Sequence, residues 1–322
     1  MAEPPPGAPA APPVVRRLAG RLAPVAVPVV VAACWLVLPV TTGEALADAL
    51  AGRSAPVRFT VGVGSWAGWA LGAATIAIAR SSSLTLARFV IPAGVVPAVW
   101  AVATSGTGSG GAPGLAGLVG LGAAAAAAAL VCSAGFGDRS VNGSSYGAER
   151  RFALRPPGGV VVVLPVLWAV AVAGVITGPL LLASGVWAGG AVATLVGVPL
   201  AVVVVRRTHV LTRRWLVFVP AGVVVHDPLL LTDSLLVQAG NLAGIGPAPA
   251  ATTATDFTMG ATGLAMEIRL RQPAEVLTNA RRRAAGGSYT APGEEVHAVL
   301  VAPTRPGVVM RTLSRRPGSA GR

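Results

Sequence analysis

His226 stands beside Asp227, the one point in this 322-residue chain where an imidazole and a carboxylate adjoin. A general base with an orienting acid is the chemistry such a pair suggests. The surrounding VVVHD reads as a strand, however, and neighbouring residues of a strand point to opposite faces. The pair is therefore expected to be structural. His209 and His297 lack partners at metal-ligand spacing. Cys34 and Cys132 both fall inside apolar runs, where a thiol behaves as a small apolar side chain. The stretch GSGGAPGLAG is glycine-rich but has no lysine to meet a phosphate, so it reads as a loop. No catalytic residue, cofactor site or metal site is expected, and the chain is not expected to be an enzyme.

Arginine carries the remaining chemistry. All 25 basic residues are arginine, and the formal net charge is +13. The segment GAERRFALRPP holds Arg150, Arg151 and Arg155, and a second group comprises Arg206, Arg207, Arg213 and Arg214. Both groups border apolar runs and are candidates for contact with lipid head groups or an acidic partner, each basic residue near an anionic leaflet adding about 1 kcal/mol of attraction. No basic and aromatic stripe of the kind that stacks bases is present, so nucleic acid is not expected as a partner.

The elements that position these arginines are apolar and long. Hydrophobic residues make up 53% of the chain and the mean hydropathy is +0.70, too apolar for a soluble domain of this size. Abundant Ala, Gly, Val and Pro with no lysine fits coding bias in a GC-rich bacterial genome. Six runs have the roughly 20 apolar residues that a spanning helix needs: Leu22 to Val40, Val57 to Ala79, Leu86 to Thr104, Gly114 to Phe136, Gly159 to Thr177 and Leu180 to Val205. Before them, residues 1–21 include MAEPPPGAPAAPP, a proline-rich tail that forms no helix and is expected to be disordered.

Loop charge sets the expected orientation. Arg16, Arg17 and Arg21 precede the first run, Arg80 and Arg88 lie at the second turn, and Arg139, Arg150, Arg151 and Arg155 at the fourth. The alternate side has Arg53 and Arg58, diluted by Glu44 and Asp48, and the uncharged SGTGSGGA. A bacterial cytoplasmic-membrane protein with both termini in the cytoplasm follows. Ala45-Leu46-Ala47 before Asp48 also resembles a signal cleavage site, but the apolar run exceeds the usual signal core of about 7 to 15 residues. An uncleaved first helix is expected.

Within the runs, GSWAGWALG places Gly64, Gly68 and Gly72 on one helical face, and Gly185 and Gly189 repeat the spacing. Small residues at this period let helices approach closely, which predicts packing inside the bundle or, alternatively, a homo-oligomer contact. Acidic, basic and imidazole groups are missing from the run centres, which argues against ion-coupled transport. Pro24 and Pro28 in the first run, and Pro92 and Pro97 in the third, are expected to bend their helices.

After Val205 the pattern changes. RWLVFVPAGVVVHD reads as strands Trp215 to Val219 and Val223 to His226 around the turn Pro220-Ala221-Gly222. GLAMEIRL alternates, with Met266, Ile268 and Leu270 on one face and Glu267, Arg269 and Arg271 on the other; HAVLVAP is a further strand. GNLAGIGPAPAATTATD and NARRRAAGGSYTAPGEE read as connections. A closing helix is expected, with Thr304 as cap, Pro306 in the first turn, and Val308, Val309 and Leu313 on one side.

This stretch resembles the bacterial pleckstrin-homology-like domains that stand beside transmembrane helices. The resemblance rests on THVLTRRWLVF, AGVVVHD, NLAGIG and PTRPGVVMRTL, and the whole layout resembles uncharacterised actinobacterial multi-pass membrane proteins. The segment Pro247 to Thr255 departs from the compact pattern and leaves the strand count open. The resemblance implies a binding or scaffolding module. The expected fold is thus a membrane all-α bundle of about six transmembrane helices over 22–205, then a small α+β, split-barrel, pleckstrin-like cytoplasmic domain with a basic tail over 206–322. The expected role is a membrane anchor or scaffold whose domain meets protein or anionic lipid head groups; the alternative is a transporter or flippase-like component for an apolar or lipid substrate.

Overall fold

The computed structural model describes residues 26–105, 114–286, 288 and 292–315. The proline-rich tail with Arg16, Arg17 and Arg21, the residues Pro24 and Ser109, and nearly all of SGTGSGGA lie outside the described residues. The described residues up to Thr212 are mainly helical: α1 (Ala26–Leu50), α2 (Ala55–Ala77), α3 (Ser81–Thr104), α4 (Leu115–Val131), α5 (Ala134–Asn142), α6 (Gly158–Ala183) and α7 (Trp187–Thr212).

Four of these, α1, α3, α6 and α7, are long and apolar enough to cross a membrane, and α4 with α5 makes a fifth if that pair, bent by 59°, counts as one span. The expectation of six is corrected accordingly. Gly114 to Phe136 is not one helix, because Ser133 takes an extended backbone and its hydroxyl accepts from the Phe136 amide at 3.3 Å, capping a new helix. Helix α2 has the length, at 23 residues, but Gly62, Gly64, Ser65, Gly68, Gly72 and two tryptophans dilute its apolarity. The first helix runs ten residues past the expected Val40 to Leu50. Thr41 sustains it by donating to the Val37 carbonyl at 3.1 Å, and Ala45 to Ala47 are helical, with Leu46 packed beside Leu50 and Ala101.

The last helical pair also breaks later than expected. Pro179 sits inside α6, and the turn comes at Gly185, whose φ of +84° only glycine adopts readily. Gly185 is thus a turn residue, not a packing residue, and Gly189 would give an added Cβ only ordinary contact. The close approach between α6 and α7 is made instead by Gly174 against Gly197, Gly178 against Thr194 and Gly190 against Leu182.

On α2 the glycine spacing holds but its use is uneven. An added Cβ at Gly72 would run into the Trp35 indole, whereas Gly64 and Gly68 face open space. Trp35 and Trp69 tie α1 to α2 by reciprocal bonds: Trp35 Nε1 donates to the Trp69 carbonyl at 2.9 Å, and Trp69 Nε1 to the Trp35 carbonyl at 3.1 Å. Pro39 explains the second bond, since it lacks the amide that would otherwise take the Trp35 carbonyl within α1.

Side-chain neighbours fix helix direction. Val27 lies by Gly135 and Thr42 by Gly120, so α1 and α4 are antiparallel; Ala79 abuts Gly143, and Thr85 meets Thr212. The ends near residues 27, 79, 85, 135 to 158 and 212 therefore gather at one end of the bundle. The turns after α1 and α6 lie at the other.

The sheets stand at the first end. Strands β1 (Arg150–Ala153), β2 (Trp215–Val219), β3 (Gly222–His226) and β4 (Leu235–Gln238) form an antiparallel sheet in that order. Strands β5 (Leu242–Pro247), β6 (Thr255–Asp256), β7 (Met266–Val276) and β8 (Glu294–Val301) form a second, in the order β5-β7-β8-β6, with β6 and β8 parallel. Between β7 and β8 runs a short α8 (Asn279–Ala284), capped by the Thr278 hydroxyl; α9 (Pro306–Ser314) closes the domain. Phe152, Phe218, Val225, Met266, Ile268, Val299 and Val309 share one core.

Strand β2 has its expected bounds, and Met266, Ile268 and Leu270 face inward. Three readings change. LAGIGP, taken for connection, is a strand because its backbone pairs with β7 around a bulge at Leu242 and Gly244. Glu267 is buried despite its outward register, with Thr252 donating to its carboxylate at 2.6 Å. Thr304 does not cap α9; Arg305 holds that position and makes no side-chain cap bond.

Candidate functional site at the junction of bundle and sheets

The junction is built from a chain segment well before the sheet domain. Strand β1 lies between α5 and α6, yet it pairs with β2 over four residues, from Arg150 opposite Phe218 to Ala153 opposite Trp215. Phe152 thereby enters the core, 2% exposed, with its ring 5.1 Å from that of Phe218. The Asn142 side chain clamps the approach: its carbonyl accepts from the Arg151 amide at 2.9 Å and its amide donates to the Arg151 carbonyl at 2.8 Å. A domain boundary at Arg206 therefore omits an edge strand that the sheet contains.

Arg214 is the centre of the junction, not a surface contact as expected. It is 1% exposed, as is Asp227. Its Nη2 lies 2.7 Å and its Nε 2.8 Å from the Asp227 carboxylate, and its Nη1 donates to the Arg155 carbonyl at 2.7 Å. The other Asp227 oxygen accepts from the Leu229 and Leu230 amides. Burying two charges is tolerable only when each is paired and hydrogen-bonded, which this arrangement achieves. One ion pair thus links the chain before α6, the end of α7 and the β3 turn.

The remaining candidate arginines divide by surroundings. Arg206, Arg207 and Arg213 are exposed at the end of α7, and Arg150 is exposed on β1. Arg151 is committed to Glu149 at 2.7 Å and lies 4.7 Å from the Trp215 ring centre. Arg155 donates to the Thr262 carbonyl. Those two, with Arg214, are held by protein groups and do not wait for a lipid. The Arg151 partner keeps the Glu149 carboxyl below its ordinary range.

The histidines do not meet. The His226 ring lies 5.3 Å from that of Trp215, tilted by 37°, and its Nδ1 is 2.7 Å from the Ser234 hydroxyl. Burial, and then the Arg213 charge, push its pKa below the usual imidazole value. Asp227, pointing the other way into the Arg214 pair, gives it no orienting bond. His209 Nδ1 is 3.1 Å from the Thr85 hydroxyl, which in turn is 3.0 Å from that of Thr212, so it fastens α3 to α7. His297 is exposed. Both cysteines are free, and among the described residues no group of His, Cys, Asp or Glu is arranged to hold a metal ion.

Sequence reasoning missed two further junction contacts. Asp138 in α5 meets Arg305 before α9 at 3.2 Å, joining residues with no local signal of partnership. Arg88, one third of the way along α3, approaches the Val131 carbonyl at 3.5 Å where α4 breaks. The break leaves late carbonyls of α4 without helical donors, so an arginine there has a partner that an unbroken helix would not offer. Comparison with protein-family models, with curated proteins and with solved structures finds no match.

Proposed function

We propose that this chain is a multi-pass protein of a bacterial cytoplasmic membrane that acts as an anchor or scaffold, holding a pleckstrin-like domain against the cytoplasmic face to meet a protein or anionic head groups. Its four long apolar helices are compatible with a membrane location. The observation that carries the reading is the insertion of β1 between β2 and the bundle: the domain is assembled from chain on both sides of the α6–α7 hairpin. Such a domain cannot swing free on a tether. It presents a fixed face beside Arg206, Arg207 and Arg213, whose charges favour an acidic leaflet. Two small sheets closed by α9 suit the pleckstrin-like resemblance. A non-catalytic role accords with the engagement of Asp227 by Arg214 and of His226 by Trp215 and Ser234.

The chain returns to the sheet end along α2 and along the bent α4–α5 pair, since α3 and α6 both start there. Helices α1 and α3 both start at the sheet end, so the chain must come back between them.

The test pairs two measurements on the full-length protein. A photocrosslinking residue in place of Leu236, 48% exposed on β4, is expected to give a discrete adduct in cells that is lost with Arg214→Gln. Vesicles carrying the protein are expected to scramble fluorescent lipid no faster than empty ones. Scrambling that is lost with Pro92→Ala would overturn the scaffold in favour of a lipid transporter.

A further inference from the structure

A cleft of about 390 Å³ runs between the approach to β1 and the closing helix. One wall is Gly147 to Arg150; the other is Val308, Arg311, Thr312 and Arg315. Three arginines thus line one concavity, and Arg150, Arg311 and Arg315 form no ion pair among the described residues. The one acid in the lining, Glu149, is already neutralised from outside the cleft: Arg151 donates to it at 2.7 Å and the Tyr146 amide at 3.1 Å. Thr312 donates its hydroxyl proton to the Val308 carbonyl at 2.9 Å, so the arginines are the donors that line the cleft for an anion.

Like charges gathered on one hollow repel until an anion enters. Arginine's planar fork suits phosphate oxygens, which it can meet through two parallel hydrogen bonds. Three other arginines at the junction have acidic partners: Arg151 with Glu149, Arg214 with Asp227 and Arg305 with Asp138; Arg206, Arg207 and Arg213 stand exposed along the end of α7. The cleft sets three arginines without an ion pair on two walls, Arg150 also acting at longer range on the Asp138 carboxyl, and one wall leads directly from α5 at the sheet end of the bundle.

We propose that this cleft binds a phosphate monoester, with Arg150 on one side and Arg311 and Arg315 on the other. The phosphate chemistry stands on the cleft alone; a lipid as its source rests on the scaffold reading. Full-length protein in neutral detergent serves for the test, its unfolding temperature followed as ligand is added, since a ligand of the folded state raises it. The probes are phenyl phosphate and short-chain phosphatidic acid, against sodium chloride at equal ionic strength and short-chain phosphatidylcholine. A rise with either phosphate monoester and neither control is expected. It should weaken about tenfold or more in apparent affinity with Arg150→Gln or with Arg311→Gln/Arg315→Gln, the scale of one or two lost charge-assisted hydrogen bonds. These side chains are exposed, so the variants should fold, which their unliganded unfolding temperature checks. Arg53→Gln, at an exposed arginine in the turn after α1 at the other end of the bundle, should leave the response intact.

A response to phosphatidic acid alone assigns the site to a lipid head group; a response to phenyl phosphate assigns it to a soluble ligand as well. No shift with either probe overturns the proposal, as does a shift that the cleft variants keep. Lipid scrambling would sink the scaffold reading without touching this result, and a silent cleft would leave the scaffold reading standing.

Discussion

Gly64, Gly68 and Gly72 share one face of α2 by spacing, yet only Gly72 has a neighbour that forbids a side chain. The Trp35 indole lies over it, held in place by the bond to the Trp69 carbonyl. A larger residue at Gly72 must displace that ring and break the reciprocal pair. Gly72→Leu is expected to lower stability by about 1–3 kcal/mol, as overpacking does, and to lower the unfolding temperature in detergent. Gly64→Leu should change it little. Equal effects at both positions would show that the Trp35 contact is not what distinguishes them. The four-residue period was readable from the chain; the partner was not, because the Trp35 indole reaches Gly72 across two helices through a bond to the Trp69 carbonyl, a tertiary contact with no local signal. Gly185 departs from its expected packing role for a local reason: its spacing to Gly189 matches a packing motif, but its backbone turns left-handed just past the end of α6.

At the scale of elements, β1 and the Arg214–Asp227 pair carry the junction. Alternation marked β7, and a short apolar run closed by the turn Pro220-Ala221-Gly222 marked β2, whose Leu216, Val217 and Phe218 are all buried. Strand β1 offered four residues, RRFA, too short for a period to show and flanked by arginines that read as a membrane-side loop. Strand β5 was obscured by glycine and proline, which backbone pairing tolerates at an edge. Phe152→Ala empties a core position and should cost about 3–5 kcal/mol. Arg214→Gln strands a buried carboxylate and should cost about 3–5 kcal/mol. Limited proteolysis of the full-length protein is the readout: both variants should open the sheet domain to cleavage while the helices stay protected. Residues 206–322 expressed alone should be cleaved in the same way, because they lack β1. A protease-resistant 206–322 fragment would mean that β1 is dispensable and that the domain folds independently of the bundle.

On the scale of the whole molecule, the sequence has six apolar runs, whereas among the described residues four helices are long and apolar enough to cross a membrane, or five if the bent pair counts as one. The difference lies in α2, diluted by glycine and tryptophan, and in α4, stopped by Ser133. Neither change disturbs the alternation of direction, because that is set by which helix ends touch. Val27 beside Gly135, Ala79 beside Gly143 and Thr85 beside Thr212 place these ends with the sheets, and the exposed Arg206, Arg207 and Arg213 stand there too. Translocation disfavours that end, since basic residues near spans are retained in the cytoplasm. Single cysteines at Ser54, Ser144, Ser184 and Ser288, with Cys34 and Cys132 replaced by alanine, test this in intact cells with an impermeant thiol reagent. Ser54→Cys, after α1, and Ser184→Cys, after α6, should label directly. Ser144→Cys and Ser288→Cys should label only once the membrane is opened. Labelling at Ser184 without Ser54 would mean that α1 and α2 do not both cross, making the bundle a four-span core with a surface hairpin. The reverse pattern, with Ser144 and Ser288 labelled from outside, would turn the molecule over and put the sheet domain and its arginine cleft outside the cell, beyond the reach of any cytoplasmic phosphate.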